Sequence, residues 1–188
     1  MTTDMSRDAA LALLKEHVKS ENLIKHCLAS EAVMRAAAQR LGENEDIWGL
    51  AGLLHDLDVE ITKADLSVHG LKSAEMLAEK GYPQELAEAV KMHNEKAHGQ
   101  KRSEKFHKAL AASETITGLI VATTLVYPDK KLASVKPSSI VKRMKEKAFA
   151  ASVDRDIIRE CEHIGIPLPE FAELALGAMR GISGELGL

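Results

Sequence analysis

Apolar residues recur at three- and four-residue intervals along most of the chain, and the strict alternation of half-buried strands is nearly absent. Ser6 can cap a helix reaching about Lys19, and a second runs from about Asn22 to Arg40 and stops at Gly42. Asn44 or Glu45 opens a third that ends between His55 and Asp58. From Val59 to Val68 the chain mixes Glu60, Thr62, Lys63 and Asp65 with few apolar anchors and reads as a connector. A helix follows from about Gly70 to Lys80, ended by Gly81, and Pro83 suits the first turn of the next, which reaches about His93. Asn94 to Arg102 is a polar loop. Ser103 starts a long helix that runs to about Val126 and is broken by Tyr127-Pro128-Asp129. Beyond it, Ser138 or Ser139 caps a short helix, Asp154 caps another, and Pro169 opens the last.

This pattern predicts an all-α fold with a main helical body over 1–129 and a C-terminal helical extension over 130–188 packed on it as one unit. The composition agrees. Hydrophobic residues make up 45% of the 188, enough for a sizeable core, while aromatics are only 3%, so helices must pack over Ala, Leu, Ile, Val and Met. No internal repeat or low-complexity tract interrupts it.

Charge and cysteine content narrow the setting. A net charge of -3 gives no general attraction to nucleic acid. No apolar run is long enough to span a bilayer, and the first residues, Met1-Thr2-Thr3-Asp4, lack the apolar core of a signal peptide. Two cysteines, Cys27 and Cys161, without CxxC spacing, leave a reducing cytoplasm as the expected compartment.

The candidate chemistry lies in histidines and carboxylates: His26, His55, Asp56, His69, His93, His98 and Glu114. His55-Asp56 closes the apolar run Ala51-Gly52-Leu53-Leu54. His26 lies mid-helix near the inward face, His69 precedes a helix and His93 ends one. Glu114 sits in the apolar segment Ala111-Ala112-Ser113-Glu114-Thr115-Ile116, where a buried charge needs a partner, although its small neighbours also let it face solvent. A histidine near an apolar face is most often a hydrogen-bonded core residue, and His98 and His107, taken singly, read as surface residues. Mixed imidazole and carboxylate donors suit one or two divalent transition ions (Fe, Mn, Zn, Co or Ni) better than Ca or Mg. A carboxylate can bridge a pair of ions, which activate a water and neutralise charge on a phosphoryl group.

The order of these residues resembles the HD superfamily of metal-dependent phosphohydrolases. The resemblance rests on His26, then Leu53-Leu54-His55-Asp56, then His69-Gly70-Leu71-Lys72-Ser73-Ala74-Glu75-Met76-Leu77, then Ala89-Val90-Lys91-Met92-His93, then an acid in a long helix. It covers roughly Leu23 to Val126. It implies that His26, His55 and Asp56 bind a primary metal, that His69 and His93 bind a second, that His98 stands where some members have a further histidine, and that Asp56 bridges. The chain departs from the pattern twice. The last metal-binding acid of the family is usually Asp, and here it is Glu114. Many members carry a Lys shortly after the His-Asp pair, where this chain has Leu57-Asp58-Val59-Glu60. Asp58, three residues beyond His55, lies on the same helical face and either orients that imidazole or caps the helix end.

Lys136 to Lys147 concentrates positive charge, with Arg155 and Arg159 following. It reads either as a solvated helix face or as a flap in which Lys142, Arg143 and Lys145 bind phosphate. The leading expectation is a metal-dependent phosphohydrolase acting on a small phosphate ester or anhydride, a nucleotide by preference, with Asp56 and Asp58 in the catalytic machinery. Two alternatives stay open: a non-catalytic HD-fold module that binds or senses a nucleotide, and oxygen chemistry at a di-iron centre. The expected partner is the small phosphorylated substrate, with nucleic acid and membrane disfavoured and a homo-oligomer open.

Overall fold

Side-chain oxygens at the helix starts decide where this chain turns. In the computed structural model, which describes residues 5–188, Ser6 Oγ accepts the Ala9 amide at 3.2 Å and opens α1 (Arg7–His17). Ser20 opens α2 (Glu21–Leu41) in the same way, through the Leu23 amide. Gly42 ends α2 at φ +71, a left-handed conformation that residues with a Cβ adopt at a cost. Asn44 Oδ1 accepts the Asp46 and Ile47 amides and opens α3 (Glu45–Leu54). A run of turns then leads to α4 (Leu71–Glu79), α5 (Gln84–Met92) and the long α6 (Lys105–Leu125). The C-terminal section holds α7 (Pro137–Arg143), α8 (Arg155–Ile158), α9 (Glu160–His163), α10 (Leu168–Gly181) and α11 (Ser183–Leu186). The fold is all-α, and no strand occurs among the described residues.

The core forms where α3 lies against α2. All seven residues from Trp48 to Leu54 are buried. A Cβ at Gly52 would stand 2.7 Å from the Ser30 carbonyl oxygen and 2.9 Å from Glu31 Cα, so a glycine here lets the two backbones touch. α2 contributes Ala29, Val33, Met34, Ala37 and Ala38, and α6 adds Leu110, Ile116, Leu119 and Ile120. Small side chains thus do the work that aromatics do in other cores, by shortening interhelical distances. α10 packs its buried stripe of Phe171, Ala172, Ala175, Leu176 and Met179 against α2 and α7. The connector is tied down at one end, where Glu60 Oε1 accepts the amides of Lys19 and Ser20 at 3.0 and 2.8 Å. Among the described residues, no helix is long and apolar enough to cross a membrane.

Three helix starts differ from expectation. α6 begins at Lys105 behind Glu104 rather than at Ser103, whose hydroxyl is turned to the Glu104 carboxylate. α7 has Lys136 rather than Ser138 or Ser139 at its cap, because Pro137 already supplies the helical φ and has no amide to satisfy. α10 begins one residue before Pro169, which occupies its first turn. His107, expected at the surface, is buried in the first turn of α6, beside the stacked Trp48 and Phe106 rings.

Candidate metal centre

Four helices deliver four imidazoles to one point. α2 carries His26, the end of α3 carries His55 and Asp56, the start of α4 follows His69, and α5 ends at His93. His26 Nε2 lies 3.2 Å from His55 Nε2, and His69 Nε2 lies 3.1 Å from His93 Nε2. Asp56 sits between the two pairs. Its Oδ1 is 3.3 Å from His55 Nε2, 3.1 Å from His69 Nε2 and 3.9 Å from His93 Nε2, and its Oδ2 is 3.8 Å from His26 Nε2. Glu114 projects from α6 with Oε2 3.9 Å from His26 Nε2. Two donor sets result, His26–His55–Glu114 and Asp56–His69–His93, each with its ligand atoms within 4.8 Å of one another.

The other ring nitrogen of every histidine is occupied. His55 Nδ1 donates to the Gly52 carbonyl at 2.8 Å, and His93 Nδ1 donates to the Val90 carbonyl at 2.5 Å. His69 Nδ1 donates to Asp58 Oδ1 at 2.7 Å. Thr117 gives its hydroxyl proton to the Glu114 carbonyl at 2.7 Å, so its oxygen accepts from His26 Nδ1 at 3.1 Å. All four rings are therefore oriented with Nε2 inward, and in His26, His55 and His93, which burial keeps neutral, that nitrogen presents its lone pair. In the His26–His55 pair no hydrogen is left to separate the facing lone pairs. A cation between them removes that repulsion, and the donor set fits divalent transition metals.

Burial and neighbouring charge shape the proton affinities. Burial pushes His55 down to about 4 and His93 down to about 3, and lost hydration lowers His26 as well. Asp56 stays ionised, because the imidazoles around it outweigh its burial. Against its own burial, His69 is raised to about 10 by Asp56 and Asp58, one at each ring nitrogen. A proton on its Nε2 thus occupies the place between Asp56 and His69 that suits a metal. Glu114 is pushed up to about 8 by burial, with the Asp56 charge adding to the effect.

Asp58 combines the two roles weighed for it, but on a different histidine. Its Oδ1 orients His69, not His55, and its Oδ2 accepts the Gly70 and Ser73 amides at 2.8 and 3.0 Å. It thus caps the start of α4 rather than the end of α3. Fully buried, with both oxygens engaged, it positions His69 and does not line the cleft over the cluster. Gly70 belongs to the same construction: at φ +90 it lets the chain turn beneath His93, whose Cε1 would be 3.0 Å from a Cβ there.

A cleft of about 400 Å³ opens over the cluster, lined by His26, Asp56, His69, His93 and Glu114 on its floor. Leu66, Val153 and Ile157 add apolar wall, and Asn94, Lys96, Ser152 and Asp154 add polar rim. Lys142, Arg143 and Lys145 do not line it. α7 buries Ile140 and turns its basic face outward, and Arg143 stacks on Phe149 and pairs with Glu146. The basic segment is the solvated face of the two readings. His98 also stands outside both donor sets: the turn Glu95–Ala97 carries it away from His93, and its Nδ1 accepts the Gln100 amide at 3.1 Å. Sequence reasoning missed Asn94, Thr117 and Lys96. Asn94 Nδ2 ties the Leu66 and His69 carbonyls together at 2.8 and 2.9 Å. Its place directly after His93 was the available signal. Thr117, three residues past Glu114, was legible as its neighbour one turn on.

Comparison with curated proteins and with solved structures gave no match. The HD domain family model matches residues 23–124, over half of the chain, and that span contains every residue of both donor sets. The helical order, the His-Asp pair at the centre and this match agree: the chain belongs to the HD domain family.

Proposed function

We propose that the protein is a metal-dependent phosphohydrolase acting on a small phosphate ester or anhydride, a nucleotide by preference. The observation that carries this reading is the convergence of four Nε2 atoms on Asp56 at the floor of the cleft. When bound, divalent ions supply a water that is nucleophilic at neutral pH and charge neutralisation for phosphoryl oxygens. His26, His55 and Glu114 would hold one, His69 and His93 a second, and Asp56 faces both. Lys96 and Asn94 stand at the rim, where a phosphate oxygen can be bound and oriented. Leu66, Val153 and Ile157 give the organic part of the ester an apolar surface that also excludes water.

The reading of a non-catalytic sensing module drew on Glu114 replacing Asp and on the missing Lys after the His-Asp pair. The Glu114 Oε2 lies 3.9 Å from His26 Nε2, so the longer side chain still reaches the cluster and the replacement does not by itself remove the metal site. The test is a screen of phosphate esters and nucleotides with Mn, Co, Ni, Zn and Fe, run on wild type, His55→Ala and Asp56→Ala. Activity lost in both variants is expected; activity that survives in both sinks the assignment. Lys96→Ala should raise KM, while Lys142→Ala and Lys145→Ala, at residues that do not line the cleft, should not.

A further inference from the structure

The last turn of α5 is held by a residue that lies outside the cluster. Arg102, only 8% exposed, directs Nη1 at the carbonyls of Met92 and His93, at 3.2 and 2.9 Å. Its Nε and Nη2 grip the Glu160 carboxylate of α9 at 2.9 and 2.7 Å. The Arg102 backbone amide is fixed in turn by Glu95 Oε1 at 2.8 Å. The third carbonyl of that turn, Val90, is the acceptor of His93 Nδ1. Of the three carbonyls around His93, Val90 fixes its tautomer, and those of Met92 and His93 itself, which fix the backbone that carries the ring, are held by Arg102. A guanidinium suits this place: its planar fork serves a carboxylate on one side and two carbonyls on the other, and its charge faces the negative end of α5. A buried ion pair is weak evidence for stability in itself, since desolvation offsets much of the attraction.

We propose that Arg102 is a positioning residue for the His69–His93 side of the metal centre, and that Glu160, outside the family-matched span, completes it. The C-terminal section then acts by hydrogen bonding on one of the two donor sets, because the Arg102 network makes no hydrogen bond to His26, His55 or Glu114; the other set feels Arg102 only as a charge near Glu114. The inference rests on the metal centre proposed above.

The experiment compares wild type, Arg102→Lys and Glu160→Gln, each as the full chain. The Lys variant keeps the charge and loses the fork; the Gln variant keeps an acceptor oxygen and loses the charge, and carries the test if the first does not fold. Co²⁺ alone is titrated with visible spectra and calorimetry. Wild type is expected to take two equivalents. In the variants the first should bind with unchanged affinity and spectrum and the second at least about tenfold more weakly. In metal-free protein, ¹⁵N NMR of the histidines should show the single Nδ1–H form of His93 lost in the variants and that of His55 kept. An Arg102 that merely fastens α9 would lower the melting temperature and leave both equivalents and the His93 signal unchanged. That result in a folded variant, or equal weakening of both equivalents, overturns the inference. A wild type that takes up no Co²⁺ overturns the metal reading instead, and the His93 signal still decides the role of Arg102.

Discussion

Replacing Gly52 by Ala adds one methyl group at the closest approach of α2 and α3. The new Cβ would lie 2.7 Å from the Ser30 carbonyl oxygen, 2.8 Å from the Ser30 carbonyl carbon and 2.9 Å from Glu31 Cα. Ordinary carbon contacts begin near 3.5 Å, so the two helices must part by roughly 0.7 Å. The neighbouring atoms are backbone, and no side-chain rotation relieves the overlap. Overpacking of this kind costs about 1–3 kcal/mol, and removing a glycine from a helix interior returns up to about 1 kcal/mol. The net loss of about 0–3 kcal/mol lowers the melting temperature by up to about 12 °C for a chain of this size. The metal centre should suffer more than the fold. His26 lies one turn before Ser30 on α2, and His55 three residues beyond Gly52, with their Nε2 atoms 3.2 Å apart. Metal–ligand distances tolerate only about 0.2 Å, well below the enforced parting of the helices. Metal affinity of the His26–His55–Glu114 set should fall at least about tenfold, measured by calorimetric titration and by the metal content of purified protein. Gly177→Ala is the control: it is an exposed interior position of α10 with open space around it, so stability should rise by up to about 1 kcal/mol with metal binding unchanged. A Gly52→Ala protein with wild-type metal affinity would refute the claim that this contact sets the His26–His55 spacing.

Two further outcomes follow from the site. Asp58→Asn turns an amide N–H toward His69 Nδ1 or toward the Gly70 and Ser73 amides, leaving a buried donor without an acceptor. Thermal unfolding should show a loss of about 1–3 kcal/mol, and titration a 10- to 100-fold weaker second metal. Metal uptake should also release protons: His69 is raised to about 10, so near pH 7 it carries the proton that a metal must displace. Affinity should accordingly rise as pH rises toward that value, and calorimetry in two buffers of different ionisation enthalpy should register the release. Uptake at pH 7 without proton release would contradict the assigned protonation of His69.

The elements and most of the cluster were legible from local rules. Ser6, Asn44 and Asp154 cap the helices they were expected to cap, because an N-cap bond forms within three residues and needs no tertiary context. Periodicity placed His26, His55-Asp56, His69 and His93 at helix ends or on inward faces, and their order became readable as a ligand set through the resemblance to the HD superfamily. Asp58 was misjudged because helical spacing was applied past the point where α3 stops. Beyond Leu54 the chain turns, and the next partner of that carboxylate is eleven residues on. His98, named only because some HD members have a further histidine there, stands outside both donor sets, beyond the short turn Glu95–Ala97.

What the sequence determined by itself was therefore an all-α chain with four imidazoles and two carboxylates able to meet. Which of them share a donor set was decided by packing. The contact at Gly52 sets His26 against His55, the bend at Gly70 sets His69 beneath His93, and the reach of α6 brings in Glu114. Whether the basic segment faced the cleft was also decided there, because α7 could bury only one face and Ile140 claimed it. Local signals act over a few residues of backbone. Ligand geometry depends on sub-ångström distances between helices whose residues are up to ninety-one positions apart, and only the folded core specifies those.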